Sequence, residues 1–175
     1  PSHLFALDAL MATYPDALVI QCHRPAETIM ASMCSLSQHT TAGWSNSFVG
    51  ATIGADSLET WSRGLERFNA VRATGNPAQF CDVDYFELIA DPIGTVAAIY
   101  AHFGIEMTDA ALASIEHADE ESKQGPRAPK HTYSLADYGL PRDVWEQLAA
   151  RDPYWHITTT VIAPHGVHAE NRRQS

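Results

Sequence analysis

The sequence lacks most of what would tie a chain to a membrane, to nucleic acid or to an oxidising compartment. No apolar run approaches the roughly 20 residues that cross a bilayer. The first residues, Pro1-Ser2-His3-Leu4, carry neither the basic stretch nor the apolar core of a secretory signal. Only three cysteines occur, Cys22, Cys34 and Cys81, with no CxxC pair among them. Beside the apolar Ile20, Met33 and Phe80 they read as buried thiols of a soluble cytoplasmic protein, not as a disulfide framework. Positive charge is scarce: 11 Lys and Arg stand against 21 Asp and Glu, a formal net charge of −10. That balance argues against nucleic acid and anionic lipid as partners, because both need a basic surface that displaces counterions. A glycine-rich phosphate loop of the form GxxxxGKS or GxxxxGKT is absent, as are internal repeats and low-complexity tracts. The chain also begins at Pro1 without a Met, inside what reads as the start of a helix. An upstream segment of the same polypeptide is therefore expected to be missing.

What is present suffices for one hydrophobic core, since 45% of the 175 residues are hydrophobic. Leu4, Leu7, Leu10 and Met11 recur at helical spacing and stop at the turn Tyr14-Pro15-Asp16. Ala17 to Ile20 is apolar without alternation, as in a parallel strand covered on both faces. Pro25 is well placed to open a helix through Ile29, Met30 and Met33. Residues 38–54, rich in Ser, Thr, Gly and Asn, predict a long loop with Trp44 and Phe48 embedded. A helix over 57–73, a second strand over 78–83, and helices over 93–103 and 110–115 follow, with Gly104 a cap between the last two. A polar stretch over 120–134 precedes a helix over 141–149. The β-branched Ile157 to Ile162 lies in a tail, 156–175, to which the sequence assigns no place, whereas residues 1–155 read as one domain portion. Alternating strands and helices predict an α/β fold with a mostly parallel sheet.

In such sheets ligands sit beyond the carboxyl ends of the strands. Arg24 lies there, between strand and helix, where unpaired N–H groups and the helix dipole favour an anion. Its guanidinium fork can hold two phosphate oxygens. Thr28 and Ser32 follow at four-residue spacing on one helix face, so Arg24 and Ser32 can grip one phosphate. From spacing alone, a solvated arginine and a surface serine are an equal reading.

Arg24-Pro25-x6-Ser32 after a buried strand resembles the 3′-phosphate element of sulfotransferases that use 3′-phosphoadenosine 5′-phosphosulfate (PAPS). Pro1-Ser2-His3-Leu4 and Tyr14-Pro15-Asp16-Ala17 are similar to the segment leading into that strand in bacterial and carbohydrate-type members. Tyr85-Phe86-Glu87-Leu88-x-x-Asp91-Pro92 is similar to the family's Tyr-Glu-Asp-Leu-x-x-x-Pro corner, whose tyrosine contacts the adenine side. Arg127-Ala128-Pro129-Lys130-His131-x-Tyr133-Ser134 resembles a basic loop that closes over the 3′-phosphate, although it departs from the Gly-rich form of cytosolic animal members.

The resemblance implies a P-loop-NTPase-like sheet flanked by helices and incomplete at its N-terminus, where the loop around the 5′-phosphosulfate belongs. It implies sulfuryl transfer from PAPS to a hydroxyl or amine acceptor, with adenosine 3′,5′-bisphosphate as product. The nucleotide site would use Arg24, Ser32, Tyr85, Arg127, Lys130 and His131. His3 is the candidate base for the acceptor proton, although a surface histidine is the blander reading. The implied acceptor would be a small-molecule or glycolipid-like hydroxyl compound, and Trp44 and Phe48 read equally as its apolar wall or as core anchors. Tyr85 reads on its own as half-buried packing, or as an aromatic body and hydroxyl offered to a purine. Nine histidines invite a metal, but His165-x-x-His168 has no nearby Cys or acid and Cys22-His23 is a poor chelate on a strand, so none is expected. Two rivals share the sheet. A nucleotide or nucleoside kinase would need Asp82 or Asp84 as a Mg²⁺ ligand, and a non-catalytic nucleotide-binding module would need no transferring loop.

Overall fold

The computed structural model describes residues 2–124, 132–141 and 157–162. A 3₁₀ turn, Ser2–Phe5, leads into α1, Leu7–Thr13, and then β1, Leu18–His23. The helices α2, Ala26–Thr41, and α3, Ala51–Thr74, cross over to β2, Phe80–Asp84. Then follow α4, Tyr85–Ala90, α5, Pro92–His102, and α6, Asp109–Gln124. A 3₁₀ turn, Leu135–Tyr138, and β3, Ile157–Ile162, complete the described elements.

The sheet order is β2-β1-β3. β1 and β2 run parallel, from Val19 opposite Phe80 to His23 opposite Asp84. β3 is antiparallel to β1, from Leu18 opposite Ile162 to His23 opposite Ile157. The β-branched segment that the sequence left unplaced is thus an added strand of the sheet, and the α/β expectation holds with one parallel and one antiparallel pair.

Because side chains alternate across a strand, β1 and β2 feed two cores. Val19 and Phe80 join Leu7, Met30, Cys34, Ile53, Leu65 and Phe68 in the main cluster, built on α1, α2 and α3. Ile20, Cys81 and Val83 point to the other face, where among the described residues the partly buried Leu88, Ile99 and Phe103 pack on them. The turn at Leu135–Tyr138 closes the main cluster with buried Leu135, Tyr138 and Leu140, and Ser134 and Asp137 cap it reciprocally.

Two boundaries differ from the sequence reading. The expected loop over 38–54 shrinks to residues 42–50, because α2 and α3 both run into it. Thr40 and Thr41 remain within α2, their hydroxyls donating to the carbonyls of Leu36 and Ser37 (2.8–3.0 Å) instead of competing for the backbone from a non-helical turn. On the far side Ile53 is fully buried, and Gly54 admits the Tyr138 carbonyl oxygen to 2.0 Å from where a Cβ would stand. The last helix does not stop at 115. It continues through a charged stretch that pairs with itself at i,i+4 spacing, His117 with Glu121 (3.5 Å) and Lys123 with Asp119 (2.5 Å). The helix expected over 141–149 lies outside the described residues beyond Pro141. Among the described residues, no helix is long and apolar enough to cross a membrane.

Candidate functional site

The register of β1 and β2 builds the site. Their last paired rung is His23 opposite Asp84, so the next residues, Arg24 and Tyr85, leave the sheet side by side. The Arg24 guanidinium carbon stands 4.5 Å from the centre of the Tyr85 ring, within cation–π range. Pro25, at φ −50° and ψ 126°, turns the chain into α2 and accepts hydrogen bonds from the N–H groups of Thr28 and Ile29 (3.0 and 3.2 Å). The first N–H groups of α2 beside Arg24 have no acceptor within the helix, as at any helix start.

Arg24 itself is half-buried. Its Nε is buried without a hydrogen-bond partner, and no carboxylate among the described residues pairs with it. A buried cationic donor with no acceptor costs free energy unless an anion arrives. Ser32, half-buried, sits on α2 six residues beyond Ala26, about 9 Å along the axis at 1.5 Å per residue. Thr28 shares its face one turn earlier. Tyr85 is the first residue of α4, where Asp84 Oδ1 caps the helix by accepting from the N–H groups of Phe86 and Glu87 (2.7 and 3.1 Å). Phe86 meets the Tyr85 ring edge-on, with centroids 5.6 Å apart.

Behind this corner lies a polar cluster that reading the sequence did not reveal. Gln21, fully buried and in register with Asp82, accepts from Arg72 Nη1. Arg72 also clasps Asp82 with both terminal nitrogens (2.8 and 2.6 Å), and His23 donates from Nε2 to Asp82 Oδ1 (2.7 Å). Burial alone would raise the Asp82 carboxyl, but the hydrogen bonds from Arg72 and His23 outweigh it and hold the group well below the usual carboxylate range. The signal in the sequence was a polar residue, Gln21 and Asp82, at the matching interior position of each strand. Burial pushes the thiols of Cys22, Cys34 and Cys81 up from their ordinary value.

Of the predicted site residues, the fold joins Arg24 to Tyr85 and sets Ser32 on the adjoining helix. His3 is exposed on the first 3₁₀ turn and shares no hydrogen bond, ion pair or ring contact with Arg24, Ser32 or Tyr85 among the described residues. Arg127, Lys130 and His131 lie outside the described residues, as do His165 and His168. Trp44 and Phe48 part company: Phe48 packs on the main core, while Trp44 is 89% exposed. Asp82 and Asp84, the carboxylates a kinase would need, are engaged by Arg72 with His23 and by the cap of α4. No group of three possible metal ligands converges among the described residues. A cavity of about 530 Å³ between β2, α4 and α5 is lined, among the described residues, by Val83, Glu87, Asp91, Thr95, Ile99 and others, and not by Arg24, Ser32 or Tyr85.

A P-loop-like α/β unit with an anion-ready corner where β1 passes into α2 is the class that fold and site define. The sequence model of the Sulfotransferase family matches residues 1–109, a span holding both the Arg24 and the Tyr85 corners. The chain belongs to the sulfotransferase family. It is similar to the crystal structure of sulfotransferase STF1 from Mycobacterium tuberculosis, at 63% identity and a TM-score of 0.71 over 86% of this chain and 37% of that one. It shares its fold with sulfotransferase STF9 from Mycobacterium avium, at 23% identity and a TM-score of 0.74 over 86% of this chain and 39% of that one. The chain therefore spans less than half the length of the solved structures it matches. No curated protein sequence matches it.

Proposed function

We propose that this chain supplies the nucleotide-holding corner of a sulfotransferase that moves a sulfuryl group from PAPS to the hydroxyl or amine of a small acceptor, a glycolipid-like alcohol among them. The observation that carries the reading is Arg24: a guanidinium at the carboxyl end of a buried strand, its Nε buried without a partner, beside the free N–H groups of a helix start. Arg24 and Ser32 hold the 3′-phosphate, Tyr85 contacts the adenosine, and Arg127, Lys130 and His131 close over the phosphate from the later loop.

In the reaction the acceptor oxygen attacks sulfur in line, the bond from sulfur to the bridging oxygen of the 5′-phosphate breaks, and adenosine 3′,5′-bisphosphate leaves. Positioning and cationic stabilisation supply most of the rate in such transfers. The residues described here serve the first of these: gripping the phosphate that does not react fixes where the reacting sulfur sits. The acceptor's proton goes to a base, for which His3 is this chain's candidate. The three cysteines are free, which favours a reducing, cytoplasmic setting.

The reading is tested by calorimetric titration of the intact protein with adenosine 3′,5′-bisphosphate. Arg24→Ala is expected to weaken binding on the order of 100-fold and Ser32→Ala about fivefold, the range for charged and neutral hydrogen bonds to a phosphate. Unchanged affinity in both variants overturns it.

A further inference from the structure

We propose that Tyr85 is the positioning residue for Arg24, and that through it Tyr85 sets the preference for a nucleotide carrying a 3′-phosphate over one without. The inference rests on the nucleotide reading above but assigns Tyr85 a task that contact with the base does not include.

The geometry makes the case in three steps. The pairing of His23 with Asp84 brings Arg24 and Tyr85 out of the sheet together, and the guanidinium carbon settles 4.5 Å from the ring centre. The ring is itself held, by the Asp84 cap that fixes the first turn of α4 and by the edge of Phe86 at 5.6 Å. Among the described residues no carboxylate does this for Arg24; the aromatic face is what confines its side chain.

A carboxylate in that place would compete with the phosphate, whereas an aromatic face orients the cation and leaves its N–H groups to the incoming anion. Arginine carries a large rotamer entropy, so a cation already confined loses less when it binds. One face of the Tyr85 ring is thereby taken, leaving its hydroxyl and remaining surface for the adenosine.

The test compares adenosine 3′,5′-bisphosphate with 5′-AMP, by calorimetry on the intact protein and its Tyr85→Phe, Tyr85→Trp and Tyr85→Leu variants. The readout is the ratio of the two affinities. Tyr85→Leu should lower the ratio roughly five- to tenfold, the scale of a partly desolvated cation–π contact, chiefly by weakening the bisphosphate. Tyr85→Phe loses whatever the hydroxyl gives both nucleotides yet keeps the ratio. Tyr85→Trp, the strongest cation–π partner, keeps or raises it, and this arm stands even if the leucine variant fails to fold.

A tyrosine that serves only the base would weaken both nucleotides equally in Tyr85→Leu and leave the ratio intact, which overturns the proposal. A ratio that falls as far in Tyr85→Phe as in Tyr85→Leu, or falls in Tyr85→Trp, overturns it as well. If the unsubstituted protein shows no preference for the 3′-phosphate, the nucleotide reading falls and this inference with it. Preference in the unsubstituted protein with no change in Tyr85→Leu removes this inference alone.

Discussion

Helices α2 and α3 bury Met30, Cys34, Ile53 and Phe68 against one face of the sheet, whereas α4 and α5 cover the other, with α6 packed on α5, without a single fully buried side chain. Helix α5 is apolar enough for a core, yet Ile93, Val96, Ala97, Ile99 and Tyr100 all stay half-buried. The two halves of the candidate site come from these two sides. Arg24 and Ser32 lead into and ride on α2, in the dense layer. Tyr85 opens α4 in the thin one, where a cap and two ring contacts stand in for packing. The proposed anion grip is therefore backed by a close-packed core, and the proposed aromatic platform by local devices.

The sharpest way to break that comparison is to empty both layers. Phe68→Ala should cost about 4 kcal/mol, as truncation of a fully buried aromatic does, while Ile99→Ala in the thin layer should cost about 1 kcal/mol. Denaturant unfolding of the intact protein reads both, and equal losses would show that the two faces are equally packed.

Next come two helical glycines. Gly54→Ala drives a Cβ to 2.0 Å from the backbone oxygen of Tyr138 and should cost about 3 kcal/mol, since neither helix nor turn can yield cheaply. Gly94→Ala meets only the carboxylate of Asp91, at 2.1 Å. There the disturbed cap and the gain in helix propensity roughly offset each other, within about 0.5 kcal/mol. Thermal unfolding of the two variants separates rigid contact from yielding contact.

A third test sits at the seam. Asp82→Asn keeps the shape of the cluster but weakens its bonds to Arg72 and His23, for about 1 kcal/mol at neutral pH, a value reduced for partial exposure. Because the folded protein holds this carboxyl below its ordinary value of 3.8, its contribution is complete above that pH and fades as the pH falls further. Unfolding curves of both proteins across the acid range should converge below pH 3.8. A constant gap would mean that Asp82 acts by shape alone.

Much of this was legible beforehand. The strand at Ala17–Ile20, Pro25 at the start of α2, and the anion-ready position of Arg24 follow from local pattern, because apolar continuity and backbone restriction act between neighbours. The charged run of α6 and the Ser/Thr-rich end of α2 misled, because i,i+4 charge pairs and hydroxyls turned back onto the helix carbonyls are compatible with a helix in stretches that composition alone reads as loop. The loop at Trp44 and Phe48 stayed ambiguous for another reason: only packing could tell the anchor from the exposed ring.

By itself, then, the sequence determined the two strand-to-helix corners and the chemistry each can offer, since a turn, a cap and a nearby guanidinium are local properties. Only the tertiary structure decided that Arg24 rests on Tyr85, and that Asp82 is held by His23 from 59 positions away while Arg72 reaches back 51 positions to Gln21. Those contacts depend on the register of two parallel strands, and that register is chosen by the burial of both sheet faces at once, which no single stretch of chain encodes.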